Sequence, residues 1–166
     1  MSISDILIPE FDQEMATTRR LLERVPTDKF GWKPHDKSME MGRLASHLAT
    51  LPGWTGVTLN TPELDFASGG YNPPKAATSE ELLTIFDQEV AQARAALAAT
   101  RDETFFEPWT LRNGDHKIFT LPKAAVMRSF VISHIIHHRG QLSVYLRLND
   151  IPVPSIYGPS ADEGGM

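Results

Sequence analysis

Two histidines in the segment HIIHHRGQL, His134 and His138, stand four positions apart within an apolar helical pattern. On an α-helix a four-residue step turns the side chain by only about 40° and advances it by about 6 Å, so both imidazoles project to one side. Because a core of Leu, Val and Phe offers almost no partners for buried imidazole nitrogens, the pair predicts ligands to a divalent metal ion. At about 100° per residue, the positions within roughly 80° of His134 are Met127, Phe130, Val131, His138, Gln141, Leu142, Tyr145 and Leu148.

The alternative interpretation is that these histidines are core residues, hydrogen-bonded to a backbone carbonyl or to a tyrosine. If they do bind a metal, the pair supplies two of the three protein ligands that a reactive divalent site usually has, so a third must come from another helix. His47 is the candidate, because it lies at the edge of an apolar helical stripe in MGRLASHLATLPGW.

The other histidines fit a metal site less well. His35 and His116 lie in polar, turn-rich surroundings that are typical of solvated side chains. His137 lies about 60° from His134 on the side opposite His138, which leaves a His134 and His137 pair open. We prefer His138 because it is nearer the centre of the stripe; His137 then contacts a ligand or lies at an interface.

Three segments, HLATLPGW, HIIHHRGQL and PVPSIYGPSADE, make the chain resemble the DinB family, also called the DinB/YfiT-like metalloenzymes. The resemblance spans nearly the whole chain. It implies a four-helix bundle, a homodimer, and a divalent metal held by three histidines, which on matching positions are His47, His134 and His138. Family members with known reactions use low-molecular-weight thiols in transfer or isomerisation, while others are regarded as hydrolases.

Further residues are predicted near the site. Gln141 projects from the metal face but cannot take a proton, so it either hydrogen-bonds a ligand, water or substrate, or ties two helices together. Trp54 and Tyr145 each either line the pocket or pack in the core. Arg139, about 140° from His134, is predicted at the surface or in a helix contact. Gly140 costs about 1 kcal/mol relative to Ala inside a helix, which indicates tight packing against a neighbouring helix or subunit.

No residue is an obvious general base, so the catalytic residues stay unassigned. Asp162 and Glu163 in the tail either reach the site as acids or bases or are simply solvated. Three imidazoles leave coordination positions on Zn²⁺ or Ni²⁺ that can hold water, a substrate oxygen or a thiol. Two functions follow: a metal-dependent thiol transferase or hydrolase of a small molecule, or a non-catalytic metal- or small-ligand-binding protein.

The composition is that of one compact domain over residues 1–166, with 41% hydrophobic residues. The absence of cysteine excludes disulfides, thiolate ligands and a cysteine nucleophile. A net charge of −5 with scattered Lys and Arg argues against a nucleic-acid partner. MSISDILIPEF has no basic region before an apolar core and no apolar run approaches about 18 residues, so we expect a cytoplasmic protein without a membrane partner.

Apolar periodicity predicts four amphipathic helices, over about residues 4–24, 36–59, 79–99 and 122–149. Pro52 should kink the second helix. The expected fold class is all-α, a four-helix up-and-down bundle with long connecting loops and a small hairpin, around the turn NGD, before the last helix. Residues 60–78 form a loop of the kind that covers a site, and the tail after residue 149 should pack back as coil.

Overall fold

The computed structural model describes residues 2–69 and 71–164, and most of the described chain is helical. The helices are α1 (Ile3–Leu22), α2 (Met41–Thr50), α3 (Trp54–Asn60), α4 (Ser79–Ala99), α5 (Asp102–Phe105), α6 (Lys123–Val126) and α7 (Ser133–Leu148). Short 3-10 segments cover Thr27–Lys29, Leu51–Gly53 and Phe66–Ser68, and a π-helical segment covers Met127–Ile132.

A three-stranded mixed sheet accompanies the helices, so the predicted all-α four-helix up-and-down bundle is wrong. The strands, in spatial order, are β1 (Glu63–Asp65), β2 (Pro108–Asn113) and β3 (His116–Pro122). β2 and β3 pair in antiparallel fashion and form the hairpin expected before the last helix, with Gly114 at a positive φ of 59° in its turn. β1 pairs in parallel with β2 and comes from residues 60–78, which were predicted to form a loop.

The residues of the sheet explain why the all-α fold class was wrong. In β2, Trp109 and Leu111 are buried between more exposed neighbours, which is the two-residue period of a half-buried strand. β1 has only three residues, and its Asp65 accepts a hydrogen bond from the amide of Gly114, 49 positions later. A pairing over that separation leaves no local pattern in β1 from which it could be predicted.

The starts of two long helices agree with local capping rules. At α1, Ser2 Oγ accepts from the Asp5 amide at 3.1 Å while the Asp5 carboxylate accepts from the Ser2 amide at 2.7 Å. At α4, the Thr78 side chain accepts from the Glu81 amide at 3.2 Å, and the helix begins at Ser79 as predicted.

The second predicted helix is shorter and is divided in two. The amide of Ser38 donates to the carbonyl of His35 in a turn, so α2 begins only at Met41. Pro52 lies in the 3-10 segment between α2 and α3, which confirms the kink. The chain therefore changes direction shortly after His47.

The last helical segment is also irregular. The π-helical segment before α7 has hydrogen bonds between residues five apart. The residues before it therefore point in directions, relative to those of α7, that differ from the directions in a uniform α-helix. Leu148, which uniform periodicity also placed on the buried stripe, follows this segment as the last residue of α7 and is 58% exposed.

The long helices pack around one hydrophobic core. α1 contacts α4 and α7, α4 also contacts α2 and α3, and α2 contacts α7. The tail packs back as coil, as expected, with Arg20 donating to the carbonyl of Ser155. Among the helices of the described ranges, none combines the length and the apolar character needed to cross a membrane. The contact between α2 and α7 is the one that assembles the site.

Candidate metal centre

His47 on α2 meets His134 and His138 on α7. Nε2 of His134 lies 3.4 Å from Nε2 of His47 and 2.9 Å from Nε2 of His138. The potential ligand atoms of all three histidines lie within 4.8 Å of one another. Three nitrogens bound to one tetrahedral zinc ion at about 2.0–2.1 Å would lie about 3.3 Å apart, so the arrangement fits a single divalent ion.

Burial keeps the three imidazoles neutral. Burial, followed by the charges of His138, His134 and Arg43, lowers the pKa of His47 from 6.5 to about 4. Burial is also the main cause that lowers the pKa of His134 and of His138. At neutral pH each ring therefore has a nitrogen lone pair, which is the form that binds a metal.

Gln141 orients the ring of His138. Its side-chain oxygen Oε1 lies 2.7 Å from Nδ1 of His138. Because an amide oxygen only accepts hydrogen bonds, this contact implies a proton on Nδ1 and a lone pair on Nε2. Nε2 is the atom that faces His134, so Gln141 directs the lone pair of His138 toward the other two histidines.

Nδ1 of His134 is buried without a hydrogen-bond partner among the described residues. The backbone of Phe130, one turn earlier, is near enough to raise the pKa of His134, but it does not reach hydrogen-bond geometry with Nδ1. An unsatisfied buried imidazole costs free energy in a purely structural cluster.

A cavity of about 370 Å³ opens beside His47 and His138. Its volume suits a small molecule. The loop between β1 and α4 forms one wall, through two prolines and a lysine. The residues that line the cavity are Met39, Arg43, Ser46, His47, Thr50, Pro73, Pro74, Lys75 and His138.

Trp54 is not among these lining residues. Its buried ring lies 4.9 Å from the ring of Phe130, whose own ring lies 5.4 Å from that of His134. Its Nε1 donates a hydrogen bond to the hydroxyl of Tyr71. Trp54 is therefore a core residue that supports the site through Phe130.

Tyr145 also lies outside the cavity lining. Its hydroxyl donates to the carbonyl of Met39 at 3.2 Å, and its ring meets the edge of Trp32 at 5.5 Å. It fixes the segment before α2, and of its two predicted roles the core role is the one observed.

The predictions for His35 and His116 are confirmed, whereas the prediction for Gly140 is not. His35 and His116 are exposed, as expected. His137 is exposed as well, with its ring 4.8 Å from that of His138, and the three-histidine cluster contains His138 instead. The predicted tight packing at Gly140 is wrong within the chain, since no atom lies within 4 Å of a Cβ built there.

Of the two positions predicted for Arg139, the helix contact is the one observed, since the residue is only 1% exposed and is not at the surface. Its guanidinium forms an ion pair at 2.7 Å with Glu14 of α1. The tail acids are occupied elsewhere: Asp162 pairs with Arg147 and Glu163 with Arg24. These ion pairs anchor helices and tail rather than supplying an acid or base.

Sequence reasoning missed a partly buried acid, Glu89 of α4. Burial raises its pKa, and its carboxylate lies against Gly53, where a Cβ would be 2.2 Å from Oε2. Tyr71 lies close to Glu89. Burial is the main cause that raises the pKa of the Tyr71 hydroxyl, and the charge of Glu89 also raises it, whereas hydrogen bonds with Trp54 and Thr50 lower it. The available signal was the position of Glu89 on the apolar stripe of α4, seven residues after Leu82.

Comparisons with known proteins agree on one family. The model of the DinB family matches residues 2–164. The chain is 24% identical over 163 residues to the uncharacterized protein YrdA of Bacillus subtilis (strain 168), covering 96% of this chain and 90% of that protein.

Solved structures show the same fold at low identity. A DinB-like protein (yjoa) from Bacillus subtilis superimposes with a TM-score of 0.69 at 17% identity, covering 95% of this chain and 98% of that one. A mycothiol-dependent maleylpyruvate isomerase superimposes with a TM-score of 0.54 at 11% identity, covering 97% of this chain and 64% of that one. With the family model matching nearly its full length, the chain belongs to the DinB family.

Proposed function

We propose that this protein is a divalent-metal-dependent enzyme that transfers a low-molecular-weight thiol to or from a small molecule, with His47, His134 and His138 as the metal ligands. The observation that carries the proposal is the convergence of three neutral imidazoles beside an open cavity. Catalytic metal sites have three protein ligands and an open position, whereas structural sites are closed by four. Within residues 2–69 and 71–164, the cluster that could hold a metal includes no fourth histidine, cysteine or carboxylate.

The chain supplies the ligands and their orientation. Neutral His47 and His134 offer lone pairs, and Gln141 holds the lone pair of His138 in the same direction. When bound, a Zn²⁺ or Ni²⁺ ion would supply a Lewis acid that lowers the pKa of a thiol or of water. The cavity beside the histidines would then position the small molecule.

One comparison favours a thiol as the co-substrate, and the composition requires that such a thiol come from outside the chain. The chain contains no cysteine, so any thiol chemistry must use a thiol that is brought in. One protein with the same fold is mycothiol-dependent, and we extend this dependence on a thiol, without its particular substrate, to the present site. Hydrolysis of a small ester or amide would use the same ligands and is the second reaction to be screened.

Metal content tests the ligands. The protein, purified without a histidine tag, should contain about one equivalent of Zn or Ni by elemental mass spectrometry. His47→Ala, His134→Ala and His138→Ala should each lose the metal, while His137→Ala and His116→Ala, at exposed histidines, should keep it. Absence of metal even after reconstitution would mean that the three histidines are core residues and would end the enzymatic proposal.

Turnover tests catalysis. Conjugation of cysteine or glutathione to an electrophile such as monobromobimane, above the uncatalysed rate, should be lost in His138→Ala with only a modest change in stability. Full activity of His138→Ala would contradict the proposal. If the protein binds metal but turns over neither thiols nor esters, and unfolds when the metal is chelated, it is a non-catalytic metal-binding protein.

A further inference from the structure

The cavity beside the histidines is positively charged in an acidic protein. Its lining includes the cations Arg43 and Lys75 and no aspartate or glutamate, although the chain has a net charge of −5. A cavity lined by charges of one sign concentrates ligands of the opposite sign. The positive charge of the lining therefore favours anionic ligands.

Both cations are available to a ligand. No carboxylate in the described ranges lies within ion-pair distance of Arg43 or Lys75, and both side chains are exposed. Most arginines of the chain are instead paired with carboxylates, namely Arg19, Arg24, Arg94, Arg112, Arg128, Arg139 and Arg147.

The fold also directs the two cations to the same place. Arg43 lies four residues before His47 on α2, so the two side chains project from one face of that helix. Lys75 comes from the loop opposite. The amide of the next residue, Ala76, donates to Ser46 Oγ of α2 at 3.1 Å, and this bond ties the loop across the cavity.

We propose that the substrate of this cavity carries an oxyanion, a carboxylate or a phosphate, that Arg43 and Lys75 bind at the mouth while the rest of the molecule extends toward His47 and His138. This inference rests on the proposed function and names the class of its substrate. A guanidinium presents two parallel N–H donors that match an oxyanion, and an ammonium adds a compact second charge. The cavity volume of about 370 Å³ limits the ligand to a small molecule.

Chemical-shift titrations of the full chain test the inference without any turnover. The probes are glutarate, propyl phosphate and neutral pentane-1,5-diol, followed at the backbone amides of Ser46, Thr50 and Lys75. At least one of the two anions should shift these amides, and the diol should not. Affinity for that anion should fall about tenfold in Arg43→Gln and in Lys75→Gln. Lys117→Gln, at an exposed lysine of β3, removes the same charge away from the cavity and should leave the affinity unchanged.

The metal-site variant His134→Ala separates this inference from the metal proposal. Anion binding should persist in it, since the cations and not a metal hold the oxyanion. Preference for glutarate or for propyl phosphate identifies the oxyanion as carboxylate or phosphate. The inference is overturned if the diol shifts the same amides equally, if Arg43→Gln and Lys75→Gln bind the anions as well as wild type, or if no probe shifts them. None of these results alters the metal content that tests the ligands.

Discussion

The side-chain oxygen of Gln141 lies 2.7 Å from Nδ1 of His138, so one turn of α7 contains both a candidate ligand and the group that orients it. Partners of this kind set the tautomer of a metal-binding histidine, and their loss typically weakens metal affinity about 10–100-fold. We therefore predict that Gln141→Leu lowers zinc affinity within that range, measured by competition with a chromophoric chelator. Gln141→Glu keeps an acceptor at the same place and should restore the affinity. Wild-type affinity in Gln141→Leu would show that the contact does not orient the ligand.

The metal-free protein should lose stability on acidification. Burial lowers the pKa of His47 from 6.5 in its ordinary state to about 4 in the folded chain. Above pH 6.5 both states are neutral at this residue; as the pH falls from 6.5 toward 4, the unfolded state binds a proton that the folded state excludes. The free energy of unfolding must therefore decrease over that interval.

Urea denaturation of chelator-treated protein across this pH interval measures the effect. His47→Gln cannot titrate, so its stability should depend less steeply on pH than that of wild type. His116→Gln, at an exposed histidine, should keep the wild-type dependence. Equal slopes in wild type and His47→Gln would contradict the prediction.

The buried ion pair of Arg139 and Glu14 should dominate the packing of α7 on α1. The two side chains are 1% and 9% exposed, and the Tyr157 hydroxyl donates to the Glu14 carboxylate while it accepts from Arg139. Arg139→Met leaves a buried carboxylate without its cation, which should cost about 3–5 kcal/mol in chemical denaturation. Tyr157→Phe removes hydrogen bonds only and should cost about 1 kcal/mol.

An exposed ion pair on the same helix is the matched control. Arg94 of α4 pairs with Asp12 of α1 at 2.9 Å, with both side chains about half exposed. Arg94→Gln should change the free energy of unfolding by no more than about 1 kcal/mol. Similar losses in Arg94→Gln and Arg139→Met would mean that burial does not set the strength of these pairs.

Two helical glycines should respond in opposite directions to alanine. Open space surrounds a Cβ at Gly140, so Gly140→Ala should stabilise the chain by about 0.5–1 kcal/mol. A Cβ at Gly42 would lie 2.7 Å from three atoms of Phe30, so Gly42→Ala should destabilise it by about 1–3 kcal/mol. Thermal and urea denaturation measure both. Destabilisation by Gly140→Ala, with a fall in mass by light scattering, would contradict the first prediction and place Gly140 at a subunit contact.

The features that could be predicted from the sequence are local ones. The four-residue spacing of His134 and His138 puts both rings on one side of α7, whatever packs against it. The kink at Pro52 and the start of α4 at Ser79 likewise follow from a missing amide donor and a capping threonine. These depend on residues within a turn of one another, so periodicity and capping rules suffice for them.

The other features depend on long-range packing. Contact between α2 and α7 places Nε2 of His47 3.4 Å from Nε2 of His134. The family resemblance implied this proximity, but the spacing of the histidines in the sequence does not require it. Arg139 is polar yet buried, because α1 presents Glu14 to a face of α7 for which periodicity left both solvent and a helix contact open. The sheet, and the cavity that Arg43 and Lys75 both line, likewise join segments distant in sequence. The sequence alone thus determined the local elements and the histidine pair, whereas tertiary packing decided the third histidine, the buried ions and the charge of the cavity, since each depends on which surfaces meet.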